Sequence, residues 1–202
     1  MKRFFSLIFV ILGWFAIIMQ YILMRNNSEL ALPEMTIRFF SYFTILTNII
    51  VAYHFTLQLF RNSEKIENSG IITAITVYIL VVGLIYQLIL RSAWNPVGMQ
   101  KIVDELLHSI IPFLALLYWI FIANKKDLSY KLIPKWTIYP LLYLVFILTR
   151  GSFAGFYPYP FVDVVKFGYS QVFINSLYIL IFFIVLSVVF IIVGNALSRQ
   201  QT

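Results

Sequence analysis

Six long apolar runs constrain this chain more than any other feature. They cover residues 4–24, 37–60, 71–90, 102–123, 136–150 and 171–197. A helix needs about 20 mostly apolar residues to cross the hydrocarbon core of a bilayer. Barrel strands would alternate polar and apolar residues, and these runs do not. The chain is 61% hydrophobic and 11% charged, against about 25% charged in soluble domains, so lipid must solvate most of its surface. The expected fold is an all-α membrane protein, a bundle of six transmembrane helices forming a single domain over residues 1–202. The fifth run is the shortest and carries Pro140, which points to a tilted, kinked or shielded helix.

Lys2 and Arg3 followed by an apolar stretch resemble a signal peptide. The stretch is too long for a signal h-region and no small-x-small cleavage site comes after it, so it reads as a retained helix. The net charge of +7 reads as a topology signal rather than a nucleic-acid footprint. With the N-terminus inside, Lys2, Arg3, Arg61, Lys65, Lys125, Lys126, Lys131, Lys135 and Arg199 are internal. Arg25, Arg38, Arg91, Lys101, Arg150 and Lys166 are then external. Nine against six places both termini in the cytoplasm, and a bacterial cytoplasmic membrane is the expected location. The absence of cysteine excludes disulfides, thiol nucleophiles and thiolate metal sites. His54 and His108 fall too far apart to share a metal, and no H-E-x-x-H motif occurs, so neither metal nor cofactor is expected.

Polar residues collect in the outer half. Tyr42-Phe43-Thr44-Ile45-Leu46-Thr47-Asn48 opens the second run, Trp94-Asn95-Pro96 precedes the fourth, and Asp104-Glu105-Leu106-Leu107-His108 lies in its first turns. Arg150-Gly151 and Tyr157-Pro158-Tyr159-Pro160-Phe161 lie between the last two. Counted from the run boundaries, Thr44 and His108 both sit about 10 Å below the outer surface. Asp104 and His108, four apart, share a helix face. A hydroxyl, an imidazole and a carboxylate at one depth suit nucleophilic catalysis: the imidazole deprotonates the hydroxyl and the carboxylate orients the imidazole.

Each feature has a plainer reading. A threonine in a membrane helix commonly bonds its own preceding turn or a neighbouring helix, and Asn48 can serve as interhelical glue. Asp104 and Glu105 can cap the start of the fourth helix. Arg38, Arg91 and Arg150 can anchor at the interface, pair with Asp104, Glu105 and Asp163, or hold a ligand carboxylate. His54 reads as a structural hydrogen-bonding residue, and the Gly151-x-x-x-Gly155 spacing falls in a loop. His108 is the hardest to dismiss, because ionisable groups inside a span are costly and usually functional.

The segments 42–48, 94–96, 104–112, 150–151 and 157–161, with Tyr139-Pro140-Leu141-Leu142-Tyr143, resemble the bacterial six-span Pr6Pr membrane family over most of the chain. That family is distantly similar to the animal androgen-induced membrane esterases, which hydrolyse fatty acid esters of hydroxy fatty acids with an intramembrane threonine and a histidine. The resemblance implies Thr44 as nucleophile, His108 before Pro112 as base, and Tyr157–Phe161 as the counterpart of a W-x-Y-P-F segment. Thr47 replaces Thr44 if the register slips. The Asp104 role comes from spacing alone.

The leading expectation is therefore a membrane-embedded lipid ester hydrolase with Thr44, His108 and Asp104 catalytic. Thr47, Asn48, Arg150, Tyr157 and Tyr159 would line the fatty-acyl substrate site, and Asn48, Tyr157, Tyr159 or a backbone N–H would bind the oxyanion. A non-enzymatic lipid or small-molecule binding protein, a permease, or a structural subunit of a larger membrane complex are the alternatives.

Overall fold

The computed structural model describes residues 1–60 and 68–199. Arg61 and Lys65 of the charge count lie outside the described residues. Helices are α1 (Lys2–Asn26), α2 (Leu32–Phe39), α3 (Phe43–Phe60), α4 (Ser69–Ile85), α5 (Gly98–Glu105), α6 (Ile111–Phe121), α7 (Ile133–Ala154) and α8 (Val164–Arg199), with no strand among the described residues. Six helical stretches are long and apolar enough to cross a membrane: Lys2–Asn26, Phe43–Phe60, Ser69–Ala93, Gly98–Phe121, Tyr130–Ala154 and Val164–Arg199. The chain is an all-α integral membrane protein.

The boundaries differ from the run boundaries in instructive ways. The second run is not one helix: α2 ends at Phe39, a turn comes next, and α3 starts at Phe43. The fourth helix begins four residues early, at Gly98, whose φ of 57° starts it after extended Val97. The fifth span is 25 residues long, with Pro140 inside a continuous α7. Gly151 is helical rather than in a loop, and Gly155 ends α7 in a left-handed conformation with φ 61°. The sixth span breaks at Gly168, where φ is 71°.

The chain forms two compact units, Met1–Lys125 and Lys126–Thr202. In the first, α1 packs along α3, α4 along α6, and α3 along α4. Apolar lipid tails offer no hydrophobic drive to helix pairing, so close van der Waals fit must supply it. Gly13 of α1 supplies it against Ala52 of α3, where an added Cβ would stand 2.9 Å from the Ala52 methyl. Deeper along the same seam Phe9 stacks on Phe55 at 3.9 Å, and Tyr118 of α6 meets both rings edge-on. Ser6 donates to Gln58 Oε1, and Gln58 Nε2 donates to the Tyr118 hydroxyl, so one buried polar chain ties the first, second and fourth spans. In the second unit α7 packs on α8, and Asn175 donates to the Phe161 carbonyl at 3.0 Å.

The polar residues divide between the two ends of the first unit. At the polar end, where α1 stops and α3 begins, Tyr21 bonds Thr36 and Gln100 bonds Gln20. At the other end Lys125 is buried, donating to the Ala123 carbonyl and lying 5.3 Å from the Trp119 ring. Burial pushes the Lys125 ammonium below its ordinary pKa of 10.5.

Gly13→Val should cost about 1–3 kcal/mol by overpacking and lower the thermal midpoint in detergent. Ile11→Val, on an exposed face, should leave it unchanged, and equal midpoints for the two variants would contradict the seam. Lys125 binds its proton less tightly folded than unfolded, so its contribution to stability rises with pH through the interval below 10.5. Lys125→Met should flatten that rise in a denaturation series at increasing pH.

Candidate functional site

The site grows from a proline. Pro112 near the start of α6 has no N–H to give. Just before it, Leu106–Ile110 forms a π-helical turn in which the Ile111 N–H bonds the Leu106 carbonyl. The Leu107 carbonyl then loses its usual helical donors: the Ile111 N–H that would meet it in the α register is spent on Leu106, and Pro112, its partner in the π register, has no N–H. An unmet carbonyl is costly in a membrane interior. Asn48 of α3 meets it, donating from Nδ2 to Leu107 O at 3.3 Å and to Thr44 O at 2.9 Å. The second and fourth spans are thereby joined side by side at the level of the threonines.

Both Nδ2 hydrogens of Asn48 are committed in this bridge. The fully buried amide keeps only its Oδ1, which has no hydrogen-bond partner. Asn48 is thus an acceptor, and the oxyanion-donor role considered for it is closed. The interhelical-glue reading describes what it does.

Thr44 stands in the first turn of α3, not two turns into a span, because the second run divides before Phe43. His108 is correspondingly deeper, ten residues beyond Gly98. The equal depth counted from the run boundaries is therefore not what the helix bounds give. The Asn48 amide bonds the Thr44 and Leu107 carbonyls together, and the His108 ring leans back by a turn, its Nδ1 lying 3.0 Å from the Asp104 carbonyl. Thr44 and Thr47 are both buried. His108 makes no hydrogen bond to either.

His108 Nδ1 also lies 3.2 Å from Asp104 Oδ1. Two acceptors facing one ring nitrogen require that nitrogen to carry a proton, so Nε2 is the ring nitrogen left to exchange one. Asp104 is buried, and its second oxygen accepts a short hydrogen bond from the Tyr86 hydroxyl. The Tyr86 ring stacks on the imidazole, centroids 4.1 Å apart and planes 14° from parallel. Asp104 does not cap the helix start, which lies six residues earlier. It is an internal partner of His108, as the i, i+4 spacing suggested.

Tyr86 is the residue that the sequence reading misses. It begins a second π-helical turn, Tyr86–Leu90, opposite the first. π-turns recur at functional sites. Gly83, one turn earlier, lets the two backbones close: a Cβ there would lie 3.0 Å from both the His108 carbonyl oxygen and the Pro112 Cβ. Beside this trio runs a closed polar ring. Arg91 donates to Gln87 and Glu105, Gln87 to Ser109, and Ser109 to Glu105. Arg38 pairs with Glu34 at 2.7 Å. Two of the three arginines considered for a ligand carboxylate are therefore matched with carboxylates of the protein. Asp104 pairs with neither.

Beside Arg38, burial raises the Tyr42 phenol pKa and the guanidinium partly offsets this. His54 meets Phe55 edge-on at 5.3 Å and makes no hydrogen bond to a described residue, contrary to the structural hydrogen-bonding reading.

Arg150, Tyr157 and Tyr159 belong to the second unit. The Arg150 guanidinium lies 5.3 Å from the Phe156 ring, and Tyr159 stacks parallel on Phe161 at 5.3 Å. Tyr157 packs against Gly151, where any Cβ would overlap its ring. Burial, then Tyr169 and Asp163, raise the Tyr157 pKa, so the phenol stays a neutral donor.

Comparison with protein-family models, curated proteins and solved structures returns no match. The family resemblance rests on the motif residues alone.

Asn48→Leu should strand the Leu107 carbonyl and cost about 1–3 kcal/mol. Asn48→Asp should cost more, since it removes both donors and sets a carboxylate against two carbonyl oxygens. Thermal unfolding in detergent ranks the variants, and a wild-type midpoint for Asn48→Leu would dissolve the bridge.

Proposed function

We propose that this protein is a membrane-embedded hydrolase of fatty-acyl esters, with Thr44 as nucleophile and His108 as base. The observation that carries the reading is His108 Nδ1 turned to Asp104, 3.0 Å from its carbonyl and 3.2 Å from its buried carboxylate, which leaves Nε2 as the nitrogen that would exchange a proton with the substrate. In the proposed reaction the Thr44 hydroxyl attacks the ester carbonyl carbon as its proton passes to Nε2. The tetrahedral intermediate collapses, and the departing alkoxide takes that proton. Water, deprotonated by the same nitrogen, then hydrolyses the acyl-threonine and frees the fatty acid. Asp104 stabilises the transient imidazolium.

Thr44 and His108 are not hydrogen-bonded to one another. Catalytic hydrogen bonds are often long until substrate binds, and tighten in the complex. The Asn48 bridge supports that closure by holding the second and fourth spans in contact one turn away. Thr47 remains the competing nucleophile, being equally buried on the same helix. The binding or permease reading loses support where Arg38 and Arg91 are paired internally. The accompanying orientation has both termini on the cytoplasmic side of a bacterial membrane, on the balance of loop charges, with the catalytic groups nearer the outer face.

A fluorophosphonate probe should label the detergent-purified protein. Thr44→Ala should abolish labelling while Thr47→Ala retains it; the reverse pattern would transfer the role to Thr47, and labelling that survives both substitutions would remove threonine from the mechanism. Hydrolysis of a branched fatty-acid ester should fall about 10²–10⁴-fold in His108→Ala, with expression unchanged.

A further inference from the structure

An intramembrane imidazole can act as a base only if its lone pair points one way, and a carboxylate alone does not guarantee this. A carboxylate can rotate about its own bond, and an imidazole can tilt or flip. Tyr86 restrains both motions. Its hydroxyl occupies Asp104 Oδ2, which leaves Oδ1 turned to His108 Nδ1. Its ring lies 4.1 Å from the imidazole and nearly parallel, which fixes the plane in which the imidazole sits. Tyr86 is itself held firmly: it is 4% exposed, it opens a π-turn, and Gly83 one turn away allows the two helices to approach.

We propose that Tyr86 is a positioning residue that, together with the Asp104 carbonyl already facing Nδ1, holds the tautomer and plane of His108, through its hydroxyl on the Asp104 carboxylate and its ring on the imidazole. It touches no reacting atom. Its kinetic consequence rests on the hydrolase reading, but the tautomer it imposes does not. A tyrosine that merely filled space between the third and fourth spans would leave the tautomer to Asp104 and would be replaceable by phenylalanine.

The test is ¹⁵N NMR of histidine-labelled protein in detergent, with His108 assigned by comparison with His108→Asn. Wild type should give a single Nδ1–H tautomer at His108. Tyr86→Phe keeps the stack and removes the hydroxyl; the single-tautomer signal should be lost to a mixture containing Nε2–H. Fluorophosphonate labelling should slow roughly 10- to 100-fold, the scale on which small misplacements cost rate. A wild-type mixture of tautomers would overturn the proposal whether or not the variant folds. So would an unchanged tautomer in Tyr86→Phe, even if wild type labels well, and the hydrolase reading would then stand without it. A tautomer change in a protein that never labels would uphold the positioning role and remove the hydrolase.

Discussion

A carbonyl without a donor organises the polar end of the first unit. In hydrocarbon a helix must satisfy its own backbone or borrow from a neighbour. Pro112 withdraws one N–H and the π-turn before it redirects another, so Leu107 O is left to Asn48. That one borrowed hydrogen bond ties the second span to the fourth. The same π-turn carries His108, and the residue added to the turn rotates the remainder of the helix by about 100°. The proline, the asparagine and the histidine are therefore one construction.

Charge is arranged by the same economy. Burying an isolated carboxylate is expensive, and partners reduce the cost. Glu105 meets Arg91 and Glu34 meets Arg38. Asp104 meets no arginine; its partners are a phenol and an imidazole. A permanent cation would have held that carboxylate as a simple ion pair. The alternation along one helix, Asp104 inward to His108 and Glu105 across to Arg91, separates a carboxylate–imidazole pair from a carboxylate–guanidinium pair within two adjacent residues.

Much of this was legible in the sequence and some was not. The number and order of spans come from apolar run length, which depends only on bilayer thickness. The Asp104–His108 pairing comes from helical spacing. Helix starts were hidden, because apolar runs do not mark them: Leu32–Phe39 belongs to a separate helix although residues 37–60 read as one stretch, and Gly98 starts a helix four residues before the apolar run. Tyr86 was invisible for another reason. It lies 18 positions from Asp104 in an apolar span where a tyrosine reads as packing. The one local clue was Gly83, a glycine in a buried span that needs a close neighbour to explain it.

The division of the second run bears directly on the proposed chemistry. Had residues 37–60 formed one helix, Thr44 would sit in mid-helix, away from either terminus. With the break before Phe43, Thr44 occupies the first turn of an 18-residue helix. The positive end of a helix dipole favours negative charge close by, an effect confined to the first turn. An alkoxide or oxyanion forming at Thr44 would feel it; one at Thr47, nearly a turn deeper, would feel it less. Since Asn48 has spent both its N–H groups on carbonyls, this field is the stabilisation that α3 itself offers a developing oxyanion, and it favours Thr44 over Thr47.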